Sequence, residues 1–205
     1  MVKLFDQIDR KEQTKEKLIK ALGKILGKEG FKGLGINKIA KEAGVDKVLI
    51  YRYFGGLPEL IGEYSRTVDF WPTVEELIGP NPEQLSEMPP DKQVAEFFKA
   101  FIAALRKRPV TQDILAWELL ERNEFSKQLE HVRIRTILEY FEYLDKIPDD
   151  ENLSAIVVLM GGAVNHLLVK SRINNSIGGM DFDTEEGWNK INKGIDLLLT
   201  GIFKK

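Results

Sequence analysis

The 205 residues contain no cysteine. A disulfide framework, a thiol nucleophile and a cysteine-ligated metal are therefore all excluded, and a reducing compartment suits the chain. Histidine is scarce as well: there are two, His131 and His166, at no ligand-like spacing. Glu-x-x-His pairs, glycine-rich phosphate loops and nucleophile elbows are also missing. Catalysis needs converging groups with tuned pKa values, so an all-helical enzyme is the weaker alternative, and neither cofactor nor metal is expected. Long apolar runs are lacking too. The stretch Ile156 to Val169 has 14 residues and includes Asn165 and His166, against the roughly 20 of a membrane span. It reads as a buried helix. The opening residues, MVKLFDQIDRKEQTK, are too charged for a secretory signal, and a cytoplasmic location is expected.

Hydrophobic residues make up 43% of the chain, enough to bury a core in one large domain or in a small and a larger one. The formal net charge of -2 hides an asymmetry. Residues 1–56 hold 13 Lys+Arg against 7 Asp+Glu, and the remainder 17 against 25. A basic segment on an acidic body points to a polyanionic partner for the N-terminal part, although lysines on a solvated helix give the same count.

Helical periodicity dominates. Leu18, Ile19, Leu22, Ile25 and Leu26 mark one helix face, with Thr14 as its expected N-cap and Gly30 as its stop. Short helices are expected over Ile36–Ala43 and Asp46–Phe54, and a fourth from Pro58 to about Trp71. Gly79–Pro90 reads as a loop. Longer helices follow over Asp91–Lys107, Pro109–Leu120, Phe125–Lys146 and Glu151–Ile173. A second loop covers Asn174–Asp183, and Thr184 caps a last helix ending near Phe203. Convincing strand alternation is absent, so the expected fold is all-α.

The segment INKIAKEAGVDKVLIYRYF carries most of the functional information. Ala40 is small where a second helix must approach. Gly44 stands at a turn where positive φ is cheap only for glycine. Ile50 points back to the core, and Asp46 suits an N-cap. This is the pattern of a helix-turn-helix. It leaves Lys47, Val48, Leu49 and Arg52 off the core on a helix able to enter a major groove. The hydroxyls of Tyr51 and Tyr53 can donate to phosphates, and apolar Val48 and Leu49 can meet thymine methyls.

From about Leu18 to Ile61 the chain resembles the tetracycline-repressor (TetR-type) regulators. The likeness lies in LIKALGKILGKEGF, INKIAKEAGV, the IYRYF tail of the recognition helix and PELI, with a further echo in TEEGWNKINKGIDLLLTGIF. The resemblance implies a homodimer on a double-stranded operator of two-fold symmetry. It also implies a helical C-terminal domain that binds a small-molecule effector and releases DNA, usually a repressor. Residues 1–56 would form the DNA-binding domain, and 57–205 the effector-binding and dimerisation domain. Gly35, Asn37 and Lys38 would add to the DNA contacts at the edge of the groove. The chain departs from the family pattern at Gly35, where a hydroxyl residue is common, at Val48 and Leu49, and at Leu57, where a lysine is usual. A non-specific or architectural DNA-binding protein is the alternative.

Small Gly161, Gly162 and Ala163 permit close helix approach. The dimer expected from the resemblance would pair Ile156, Met160, Ala163, Val164 and Leu167 of one helix with Ile191, Ile195, Leu198 and Ile202 of the last. Apolar walls with a few polar groups make a pocket. The candidates for an apolar or aromatic effector are Trp71, Phe97, Phe98, Phe101, Trp117, Tyr140, Tyr143, Met160 and His166.

Overall fold

A computed structural model describes residues 2–144 and 151–203, with side chains over 10–144 and 153–203. In chain order the elements are α1 (Val2–Glu29), α2 (Ile36–Ala43), α3 (Val48–Phe54), α4 (Leu57–Ser65), α5 (Val74–Ile78), α6 (Pro82–Glu87), α7 (Pro90–Arg106), α8 (Pro109–Glu118), α9 (Glu124–Tyr143), α10 (Glu151–Ser171), a hairpin of β1 (Ser176–Ile177) and β2 (Met180–Asp181), and α11 (Glu185–Phe203). The fold is all-α, as expected.

Several boundaries differ from those read in the sequence. Helix α1 starts far ahead of Thr14, whose hydroxyl donates to the Arg10 carbonyl one turn back at 2.7 Å instead of capping. Helix α4 stops at Ser65, short of Trp71. The segment read as a loop after Gly79 contains α6, opened by Pro82 in its first turn. The second expected loop closes into a hairpin, with Ser176 opposite Asp181 and Ile177 opposite Met180. Its corner is Gly178–Gly179, at φ 60° and 79°, and two consecutive positive φ values are what a tight two-residue hairpin needs. Lys146, the expected end of α9, lies outside the described residues.

The chain forms two compact units. The first comprises Met1–Trp71 and Asp113–Arg133; the second comprises Pro72–Gln112 and Ile134–Lys205.

In the first unit, Leu18, Leu22, Ile25 and Leu26 of α1 are buried with Ile39, Ala40, Ile50, Leu60 and Ile61. The period of the apolar residues explains the helix, and burial of that face stabilises it. Gly23 sits where a Cβ would come within 2.6 Å of the Tyr64 ring, so the glycine lets α4 approach α1 closely.

In the second unit, α7 carries the core. Its Val94, Phe97, Phe98, Phe101, Ile102 and Leu105 are buried, and α5, α10 and α11 pack on it. Phe97 stacks on Phe101 at 5.8 Å and meets the Tyr140 ring at 4.8 Å. Lys99 bonds Asp196 of α11 at 2.8 Å. Thr184 caps α11 by accepting the Gly187 N–H at 3.2 Å.

Two expectations about the last helices need correction. Helix α10 is not buried on several sides: Val158 and Leu159 are each 73% exposed, while Val164 and Leu168 are buried. The dimer residues expected on α11 are divided between two faces. Trp188, Ile195 and Leu199 face inward, whereas Leu198 is 61% exposed and Ile202 is also exposed.

Candidate nucleic-acid interface

Local chemistry builds the helix-turn-helix. Gly35 precedes α2 in extended backbone and offers no side-chain cap; its carbonyl accepts the N–H groups of Lys38 and Ile39 at 3.0 and 2.9 Å. Gly44 ends α2 in the left-handed region, at φ 67° and ψ 34°. The Val45 N–H then returns to the Ala40 carbonyl at 3.0 Å, closing the C-terminal turn. The Asp46 carboxylate accepts the Val48 N–H at 2.8 Å, satisfying one of the free donors at the start of α3. Ile50 is fully buried and pins α3 to the unit.

The opposite face of α3 is open. Val48 is 59% and Tyr51 56% exposed, and Lys47 and Arg52 are exposed beside them. Leu49, expected to be free of the core, is half-buried, as is Tyr53. The Tyr53 ring carries two cations, the Arg52 guanidinium at 6.0 Å and the Lys11 ammonium at 5.9 Å. Asn37 is exposed. Lys38, read as a groove-edge contact, is ion-paired to Glu29 at the end of α1.

Sequence reading missed the groups that set the pose of α2. Glu42 pairs with Lys24 of α1, and that hydrogen bond, helped by the ammonium charge, holds the Glu42 carboxyl below its ordinary range. Beyond α1, the Glu121 carboxylate accepts the Lys32 N–H at 3.0 Å. The spacing of 89 residues leaves no local pattern by which to find that bond.

The expected pocket residues are divided between the two units. Trp71 and Trp117 belong to the first unit, and Trp117 spends its indole N–H on the Gly27 carbonyl. Phe97, Phe98, Phe101 and Tyr140 form a packed cluster in the second. Tyr143 and His166 are exposed and Met160 is half-buried. The Tyr140 hydroxyl is buried without a hydrogen-bond partner among the described residues, and burial raises its pKa. A separate cleft of about 240 Å³ in the second unit is lined by Leu77, Leu85, Met88, Glu96 and Ala100, among others. Of the expected dimer residues, Val164 and Ile195 are buried inside their own unit, while Ala163, Leu198 and Ile202 are exposed and Ile156, Leu167 and Ile191 are half-buried. Among the described residues, no group of three His, Asp or Glu side chains is placed to hold a metal.

Residues 18–64 match the family of bacterial regulatory proteins described as the tetR family. The chain is 24% identical over 195 residues to the HTH-type transcriptional regulator BetI of Vibrio campbellii, covering 92% of this chain and 94% of that one. Among solved structures, HlyIIR, a hemolysin II transcriptional regulator, has a TM-score of 0.63 at 19% identity, over 93% of this chain and 98% of its own. The transcriptional regulator FadR of Bacillus subtilis, in complex with stearoyl-CoA, has a TM-score of 0.63 at 16% identity, over 90% and 96%. At these identities the solved structures establish the fold. The matched segment is the one that builds the helix-turn-helix, and over it the chain is similar to the tetR family of bacterial regulatory proteins.

Proposed function

We propose that this transcriptional regulator is a ligand-responsive repressor that binds a palindromic operator as a homodimer and is released by a small hydrophobic or aromatic effector. In this reading residues 1–56 read DNA, and 57–205 sense and pair. The observation that carries it is the open face of α3: Lys47, Val48, Tyr51 and Arg52 stand together, exposed, on a helix pinned by buried Ile50. Lys47 and Arg52 supply base-edge donors, Val48 an apolar contact, and Tyr51 and Tyr53 phosphate contacts. Leu49 contributes less than its position in the sequence implied.

A second copy of the chain is the occupant we assign to the apolar faces of α10 and α11. Val158, Leu159, Leu197 and Leu198 form exposed apolar surface, and added Cβ atoms at Gly161 and Gly162 would meet only open space. Asn165 and Asn192, on the same two helices, each bury an amide oxygen with no donor among the described residues. By length and composition Leu153–Ser171 is also long enough to cross a membrane. The matching exposed face on α11 and the two-fold geometry of an operator favour a dimer. The aromatic cluster around Phe97, together with the stearoyl-CoA bound to FadR, supports an apolar effector.

The test is a selection from random duplex DNA with the purified chain, sequencing the bound pool. A short inverted repeat supports the reading. Binding without enrichment, fading only with salt, makes the protein a non-specific binder. On the recovered site, Arg52→Ala and Lys47→Ala are expected to change base preference, whereas Tyr51→Phe weakens binding to all sequences modestly.

A further inference from the structure

Helix α1 is 28 residues long, about 42 Å at 1.5 Å per residue, while the family match begins only at residue 18. Sixteen residues of the helix therefore precede the matched segment. This extension reaches the recognition helix, for the Lys11 ammonium lies 5.9 Å from the centre of the Tyr53 ring.

The character of that contact matters. Lys15, Lys24 and Lys38 are each ion-paired to a carboxylate, those of Glu12, Glu42 and Glu29. Lys11 instead lies over a neutral ring. Stacking on a ring face holds an ammonium in place without cancelling its charge. Arg52 approaches the same ring at 6.0 Å, so one tyrosine gathers two positive charges from two helices at the end of α3. A phosphate that takes the Tyr53 hydroxyl would sit in the field of both.

We infer that the N-terminal extension of α1 is a further DNA-contacting element, with Lys11 binding a backbone phosphate beside the one met by Tyr53. This rests on the DNA-reading proposal above. Lys11 supplies affinity and not sequence preference, because a phosphate carries no base information. Tyr53 is then a positioning platform for the lysine as well as a contact in its own right.

The experiment compares the full-length chain with Lys11→Ala and Lys11→Arg on the selected site and on a random duplex, across a series of salt concentrations. Lys11→Ala should weaken binding several-fold on both duplexes and reduce the slope of log affinity against log salt by about 0.9, the value of one released counterion. Lys11→Arg should keep the slope. A purely structural lysine would change the thermal midpoint and leave the slope alone. If the unmodified chain prefers its site and Lys11→Ala leaves the slope unchanged, the inference is overturned and the DNA-reading proposal stands. A chain that binds no DNA overturns both.

Discussion

The indole N–H of Trp117 donates to the backbone carbonyl of Gly27 at 2.9 Å. Gly27 lies in the last turn of α1, where carbonyls lack partners within the helix, so a side chain from α8 completes the end of α1. Gly30, at φ 69°, lies so close that an added Cβ would come within 2.8 Å of the same indole. Trp117→Phe keeps the ring body and loses the donor. It should lower stability by about 1 kcal/mol, and Gly30→Ala should cost more, about 1–3 kcal/mol, from strain and overlap together. Denaturant unfolding of each variant checks this, and an unchanged midpoint for Trp117→Phe would mean that the bond contributes nothing.

Glu29 neutralises Lys38, the lysine the sequence placed at the edge of the groove. Glu29→Gln frees that ammonium and removes a negative charge from the side proposed to face DNA. Affinity for DNA should rise about two- to five-fold, the range an exposed ion pair is worth, and the gain should shrink with added salt. Fluorescence anisotropy at two salt concentrations reads both effects. Weaker binding would show that the pair orients α2 rather than competing with the phosphate.

The Lys24–Glu42 pair joins α1 to α2 and sets a pH dependence. Hydrogen bonding to Lys24 lowers the Glu42 pKa from its ordinary 4.5, so the folded state binds this proton less readily than the unfolded chain. The stabilising contribution is present above pH 4.5 and is lost as pH falls through the lowered value. Thermal midpoints measured from pH 6 downward should fall less steeply for Glu42→Gln than for the unmodified chain. Parallel curves would remove Glu42 from the acid response.

The Tyr140 hydroxyl is buried in the Phe97 cluster and has no partner among the described residues. Removing an unsatisfied buried hydroxyl relieves a desolvation penalty, so Tyr140→Phe should be neutral or stabilising by up to about 1 kcal/mol. If the cluster receives the effector, the same variant should also need more effector to release DNA. A loss of 2 kcal/mol or more by calorimetry would mean that the hydroxyl has a partner in solution.

Leu198→Glu places a charge on the exposed face of α11. In the dimer reading it yields monomers and abolishes binding to an inverted repeat, with its helical circular dichroism unchanged. Size-exclusion chromatography with light scattering decides the point, and a surviving dimer would move the interface off this helix.

The sequence by itself determined the all-α fold and the helix-turn-helix. The 3.6-residue period of Leu18, Leu22, Ile25 and Leu26, the glycine at position 44 and the apolar Ile50 are local signals, carried by neighbours within a few turns. Local signals also located Thr184 as the cap of α11. The hairpin escaped notice because two residues per strand show no alternation, although Gly178–Gly179 was its visible mark. Tertiary structure alone decided which apolar residues face inward. The composition of α10 is apolar nearly all round, which implies burial, yet burial depends on what packs against each side, and within one chain only the face bearing Val164 and Leu168 is covered. The fates of Lys38, claimed by Glu29, and of Lys11, set over Tyr53, were likewise decided in three dimensions. A charge appears in a sequence as a letter, but whether it is cancelled depends on a partner that only folding brings within a few ångströms.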